Sequence, residues 1–165
     1  MADVKKSSLY NSEGIPVKNA FVVLVKTEWN AAIVDELEKG CIRKLKQLGV
    51  NKIVSITVPG AVEIPFAIKS FWDSKKKKKP DAFVALGCVI RGGTPHFEYV
   101  CKIVTEGVVQ LNLALSSPTI FGVLTVENER QAKERIGGPL GHRGEDSAVT
   151  ALKMIALNRT LRNEH

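Results

Sequence analysis

Between Ala82 and Val100 the chain reads AFVALGCVIRGGTPHFEYV, and the centre of this stretch gathers groups that can do chemistry. Arg91 and His96 flank Gly92, Gly93 and Thr94. Glycines let backbone N–H groups approach a ligand closely, and Thr94 followed by Pro95 suits the cap and first position of a helix. The unpaired N–H groups of a helix start attract anions. An imidazole titrates near about pH 6.5, so His96 could both give and take a proton near neutrality. A turn of this kind can hold a phosphate beside a proton-transferring group. Each part also has a plainer reading: glycine suits any tight turn, and His96 could be a surface or capping histidine.

Periodicity predicts the framework around this turn. Ala82–Leu86 is an unbroken apolar run, the pattern of a strand buried on both faces. From Phe97 onward, Val100, Cys101, Val104, Val108, Leu111 and Leu115 recur every three or four residues, which predicts a helix with one buried stripe. The same alternation fills the rest of the chain. Phe21–Val25 reads as a strand, Thr27–Asn30 as a turn with Asn30 capping the next helix, and Ala31–Leu48 as that helix, closed by Gly49. Lys52–Val58 is a second strand, Pro59–Ala61 a turn and Glu63–Trp72 a second helix. Thr119–Leu124 is a fourth strand. Glu127 and Asn128 lead into a short helix reaching Ile136, Gly137–Gly144 is a glycine-rich loop, and a last helix runs from Asp146 to about Leu161 before a polar, fraying end.

Strands alternating with helices imply an α/β fold: a three-layer sandwich with a flavodoxin-like, four-stranded parallel sheet in the order 2-1-3-4 and helices on both faces. Residues 1–18 read as an N-terminal arm and residues 19–165 as one domain. In such sheets ligands bind beyond the carboxyl ends of the strands, where the winding reverses. The turns there bring together an aromatic (Trp29), a carboxylate (Glu63), a histidine (His96) and an arginine (Arg91).

Composition narrows the class. The net charge of +7 over 165 residues would suit a nucleic acid or an anionic substrate. Yet Lys75–Lys79 supplies five of those charges, and without that block the remainder is near +2. The run joins a helix to the next strand, at the edge opposite the ligand turns, so a solvated loop is expected. It lacks the spread over a face and the aromatic partners of a nucleic-acid surface, and no nucleic-acid partner is expected. No apolar stretch is long enough to span a membrane, and the polar N-terminus lacks a signal core. Cys41, Cys88 and Cys101 show no metal spacing. Reduced thiols in a cytoplasmic protein are the expectation. The first strand is followed by TEWN rather than G-x-G-x-x-G, which excludes a dinucleotide-binding Rossmann domain.

Taken together, Trp29-Asn30, VPGAVEIP at 58–65, ALGCVIRGGTPHFEYV at 85–100, FGVLTVENERQAKERIGG at 121–138 and GHRGED at 141–146 resemble the lumazine synthase family, in family order over nearly the whole chain after Ala20. The resemblance implies a cofactor-free, metal-free condensation of 5-amino-6-(D-ribitylamino)uracil with 3,4-dihydroxy-2-butanone 4-phosphate. It makes Trp29 the ring that stacks on the pyrimidine, with Asn30, Val62, Val89 and Ile90 nearby and Phe121 reaching in from a neighbouring subunit. Ala61 and Glu63 hold the ribityl chain, Gly93, Thr94 and Arg135 hold the phosphate, and His96 moves protons. Arg143 stands where the family often has lysine; it keeps the charge but cannot donate a proton as lysine can. Arg91 is expected in a structural ion pair. The resemblance further implies a homopentamer. The short Gly137–Arg143 loop favours twelve pentamers in a shell, with riboflavin synthase as a partner such a shell could enclose. The rival reading is a non-catalytic flavin- or phosphate-binding module on the same fold.

Overall fold

The computed structural model describes Ile15 and residues 17–163. The expected N-terminal arm lies almost wholly outside them. Four parallel strands, β1 (Phe21–Thr27), β2 (Lys52–Val58), β3 (Ala82–Ile90) and β4 (Thr119–Val126), form one sheet in the order β2-β1-β3-β4. This is the predicted order. Chain winding reverses between β1 and β3.

Alternation along the central strands builds two cores, one on each face. Val22 and Leu24 of β1 join Val84 and Leu86 of β3 beneath α1 (Ala31–Gln47) and α5 (Arg143–Asn163), which contribute Leu37, Leu45, Leu152 and Ile155. Phe21, Val23 and Val25 point the other way, with Phe83 and Ala85. They pack on Ile64 and Ile68 of α2 (Ile64–Ser74) and on Val104 and Leu111 of α3 (His96–Ala114). Because β1 and β3 are covered on both sides, their sequences are continuously apolar.

Helix α1 ends as expected. Gly49 has φ 90°, which glycine adopts without steric cost. Gly49 N–H donates to Lys46 O and Val50 N–H to Leu45 O, both at 3.0 Å, the paired closure of a Schellman motif. The edge strand β4 is partly closed by a side chain. Asn112 of α3 donates to Thr119 O (2.9 Å) and accepts from Thr119 N–H (2.8 Å), as a neighbouring strand would.

The segment after β4 differs from expectation. The short helix α4 spans only Glu129–Lys133. Ile136 instead opens a two-stranded antiparallel hairpin, β5 (Ile136–Gly138) with β6 (Gly141–His142). The predicted loop over 137–144 is therefore largely this hairpin, and α5 begins at Arg143 rather than Asp146. Glycines disguise the pairing because they offer no alternating side chains to read. The hairpin is seated by close approach: a Cβ on Gly40 would fall 2.0 Å from the His142 ring, and one on Gly144 would fall 2.1 Å from Leu37 O. The His142 imidazole thus fills the space that Gly40 leaves open on α1. The final helix runs through Asn163, so the polar tail from Asn158 is helical over the described residues.

Among the described residues no helix is long and apolar enough to cross a membrane. Cys41 and Cys88 are buried and Cys101 half-buried, all as free thiols. Burial pushes the Cys41 thiol up to about 12 and the Cys88 thiol up to about 11.

Candidate active site

At the carboxyl ends of β1, β2 and β3 lies a cleft of about 600 Å³. Eight of the residues singled out from the sequence line it: Trp29 and Asn30 after β1, Ala61, Val62 and Glu63 after β2, Val89 and Ile90 ending β3, and His96 opening α3. The location is the one expected of the switch point of a doubly wound sheet.

Each turn is tied to its neighbour. Glu28 N–H donates to Val58 O (2.9 Å) and Trp29 N–H to Pro59 O (3.3 Å), so the β1 turn rests on the β2 turn. Asn30 stands at the N-cap position of α1, as predicted, but its side chain makes no cap bond. Its backbone is left-handed (φ 58°, ψ 42°), and its side-chain amide donates to Cys88 O at 2.7 Å. A residue that must bridge to the next strand cannot also fold back over its own helix. The first turn after β2 is a 3₁₀ turn over Ala61–Glu63, and α2 starts only at Ile64.

The Trp29 ring is 73% exposed, although tryptophan is among the most apolar side chains. A Cβ placed on Gly60 would lie 3.5 Å from Trp29 Cδ1 and 3.1 Å from Glu63 Oε2, so ring edge and carboxylate both flank this glycine. An indole face beside a carboxylate can stack on a flat ring and accept hydrogen bonds from hydroxyls.

The glycine turn lies beside the cleft. Pro95 is already helical in backbone (φ −63°, ψ −1°), and Thr94 Oγ1 accepts a long bond of 3.5 Å from His96 N–H. The helix thus starts one residue later than predicted, with Pro95 rather than Thr94 at the cap position and His96 as the first helical residue. Gly92, Gly93, Thr94 and His96 are exposed. Arg91 braces the turn from behind: it pairs with Glu98 on α3, donates through Nε to Glu127 at 2.7 Å, and stacks over the Phe97 ring at 4.3 Å. The guanidinium holds the Glu98 carboxyl below the usual carboxylate range. Arg91 is thus in ion pairs, as expected from the sequence.

Arg135, Phe121 and Arg143 are not in the cleft wall. Arg135 is half-buried and donates through Nη1 to Gln131 O at 2.7 Å. The hairpin brings Arg135 and Arg143 together, since Arg143 N–H donates to Arg135 O at 2.8 Å. Phe121 and Arg143 line a separate hollow of about 390 Å³ along β4 and α5. Sequence reasoning missed Thr27, Cys88, Tyr99, Val100 and Ile103 in the cleft. The α3 residues among them were findable, because 96, 99, 100 and 103 fall on one helix face; of Tyr99, Val100 and Ile103 only Val100 was read, and as part of the buried stripe.

The geometry agrees with the comparisons. The sequence model described as 6,7-dimethyl-8-ribityllumazine synthase matches residues 19–159. The chain is 43% identical over 153 residues to 6,7-dimethyl-8-ribityllumazine synthase of Porphyromonas gingivalis, covering 91% of this chain and 93% of that protein. It is 40% identical over 151 residues to the synthase of Parabacteroides distasonis, covering 90% and 92%. The figure for the synthase of Bdellovibrio bacteriovorus is 44% over 140 residues, covering 85% and 76%. With most of the domain matched in order and the cleft formed where the shared motifs converge, the chain belongs to the 6,7-dimethyl-8-ribityllumazine synthase family.

Proposed function

We propose that the cleft between Trp29, Glu63 and His96 is where this chain carries out the family reaction. That reaction condenses 5-amino-6-(D-ribitylamino)uracil with 3,4-dihydroxy-2-butanone 4-phosphate to give 6,7-dimethyl-8-ribityllumazine, releasing phosphate and two waters, in riboflavin biosynthesis. The observation that carries the assignment of the site is an exposed indole and a carboxylate flanking Gly60, with His96 in the same cleft.

In this reading Trp29 stacks on the pyrimidine, with Asn30, Val62, Val89 and Ile90 around it. Ala61 contributes backbone groups to the ribityl chain and Glu63 accepts from its hydroxyls. Gly93 and Thr94 receive the phosphate on backbone N–H groups and the Thr94 hydroxyl, and Arg135 closes on it as a bidentate donor. The amine then lies against the ketone, and His96 moves the protons of dehydration, phosphate departure and ring closure. Fixing two reactants in this way can be worth as much as about 7–11 kcal/mol.

We propose further that the site is completed by a second copy, in a homopentamer. Phe121 on the edge strand β4 and Arg143 at the start of α5 line a hollow apart from the cleft of their own chain, where a neighbour's cleft can meet them. Phe66 and Leu113 are 77% and 79% exposed, apolar surface that a neighbouring copy would cover in this reading. The short β5–β6 hairpin favours twelve pentamers in a shell, which could enclose a riboflavin synthase. The setting proposed is cytoplasmic. Light scattering separates the assemblies: about 90 kDa marks five copies of an 18.0 kDa chain, and a shell is far heavier.

The matches lend no support to the rival reading, a non-catalytic flavin or phosphate module. The test is to mix purified protein with both substrates and follow lumazine absorbance. Saturable turnover that falls in Arg135→Ala supports the site as drawn. Full turnover in both His96→Ala and Arg135→Ala would show that the chemistry happens elsewhere.

A further inference from the structure

Lys75–Lys79 plays no part in the cleft. As a linear run it lacks spread over a face, but the fold supplies that spread and seats the lysines on rings. The parallel sheet and its crossover helices bring the C-terminal ends of α1, α2 and α5 to the amino edge of the strands, where the run also lies. Lys78 Nζ donates to Asn19 O at 3.4 Å. Lys75 and Lys79 lie over the Phe71 and Trp72 rings at 4.8 and 4.6 Å, and Lys52 lies over Phe21 at 4.2 Å. On the same edge Arg159 donates to Lys18 O (2.9 Å) and Arg162 to Ser116 O (2.8 Å). Lys79, Arg159 and Arg162 share the wall of one hollow of about 380 Å³.

Of these cations Arg159 is paired with Asp81, while the lysines and Arg162 are held in place by rings and carbonyl oxygens. Rings and carbonyl oxygens fix where a cation sits but bring no negative charge. The nearby carboxylates are committed: Asp81 accepts from Phe21 N–H (2.7 Å) and lies 3.4 Å from Arg159, while Asp73 pairs with Lys69 (2.5 Å). The five lysines amount to most of the +7 net charge of the chain. The edge is therefore a single, positioned positive surface, on the far side of the sheet from the cleft.

We propose that this amino-edge surface binds single-stranded nucleic acid through its phosphate backbone, without reading base sequence. A phosphate chain presents negative charges at the dense, regular spacing that a lysine run meets, and guanidinium groups suit phosphate bidentately. The rings of Phe71 and Trp72 are covered by lysines, so they offer no platform for stacking bases. Binding rests on counterion release and is steeply salt-dependent.

The experiment is fluorescence anisotropy of a labelled oligouridylate of about 20 nucleotides, titrated with the full-length protein between about 50 and 200 mM salt. The expected result is binding at low salt that weakens steeply as salt rises. Lys76→Glu/Lys77→Glu/Lys78→Glu should weaken it about tenfold or more and lower the salt slope by about two. Arg162→Gln should weaken it severalfold. Both variants should keep wild-type synthase turnover, which also shows that they fold. Absence of binding by the wild-type protein, or equal affinity in the triple variant, would overturn the proposal. Equal affinity for polyglutamate would overturn it in favour of acidic proteins. Loss in the triple variant with none in Arg162→Gln would overturn the hollow as part of the surface.

Discussion

Asn30 donates its side-chain amide to Cys88 O at 2.7 Å, joining the turn after β1 to the end of β3 across the point where the winding reverses. The bond holds the segment carrying Trp29 against the floor formed by Cys88, Val89 and Ile90. Asparagine also tolerates the left-handed backbone found there, as most residues do not. Asn30→Ala should lose about 1–3 kcal/mol of stability in denaturant titrations, from an unpaired carbonyl and a strained backbone. It should also raise the KM for the pyrimidine substrate. Asn30→Gly relieves only the strain, so it should recover part of the stability and none of the affinity.

His96 is predicted to act in proton transfer, so His96→Ala should lower kcat about 10²–10⁴-fold while saturation by both substrates survives. Steady-state kinetics over a range of pH check this. The variant should also lose any limb of the pH profile that belongs to the imidazole.

Arg135 is proposed to hold the phosphate, and its guanidinium is only loosely paired, with Glu134 Oε2 3.8 Å away. Arg135→Ala should raise the KM for the butanone phosphate, with a smaller effect on the pyrimidine KM. Equal effects on both constants would instead point to a disturbed hairpin, because the Arg135 backbone carries the Arg143 N–H bond.

The Cys41 thiol is raised from its ordinary value of 9.0 to about 12 by burial. A folded-state value above the unfolded one gives stability that is complete below about pH 9 and lost as pH climbs toward 12. Denaturation midpoints should therefore fall over that window, and Cys41→Ala should flatten the fall relative to wild type. Alkylating reagents at pH 8 should leave Cys41 unmodified until the protein unfolds.

The sheet was legible because apolar runs, glycine closures and crossover spacing all pointed to one topology. Gly49, for instance, was readable as a helix end from its place after the last periodic residue. The cleft was legible where one residue type carried its own signal, as with Trp29, Glu63 and His96. Three features were not. Asn30 has the composition of a cap, and only the distant carbonyl of Cys88 explains why it does something else. The β5–β6 hairpin is built from glycines without a readable alternation. The placement of Phe121 on an edge strand, with Arg143 beside it at the start of α5, depends on which strand ends the sheet, a long-range property that no local pattern states.

Gly40 and His142 occupy what is in effect one volume, divided between a helix and a hairpin. Over evolutionary time the two positions can change only in concert, a larger residue on α1 demanding a smaller one on β6. The hairpin carrying His142 also spaces Arg135 from Arg143. A single methyl group added at Gly40, on a helix outside the cleft, would then be felt at the far end of the hairpin, where Arg135 and Arg143 are joined.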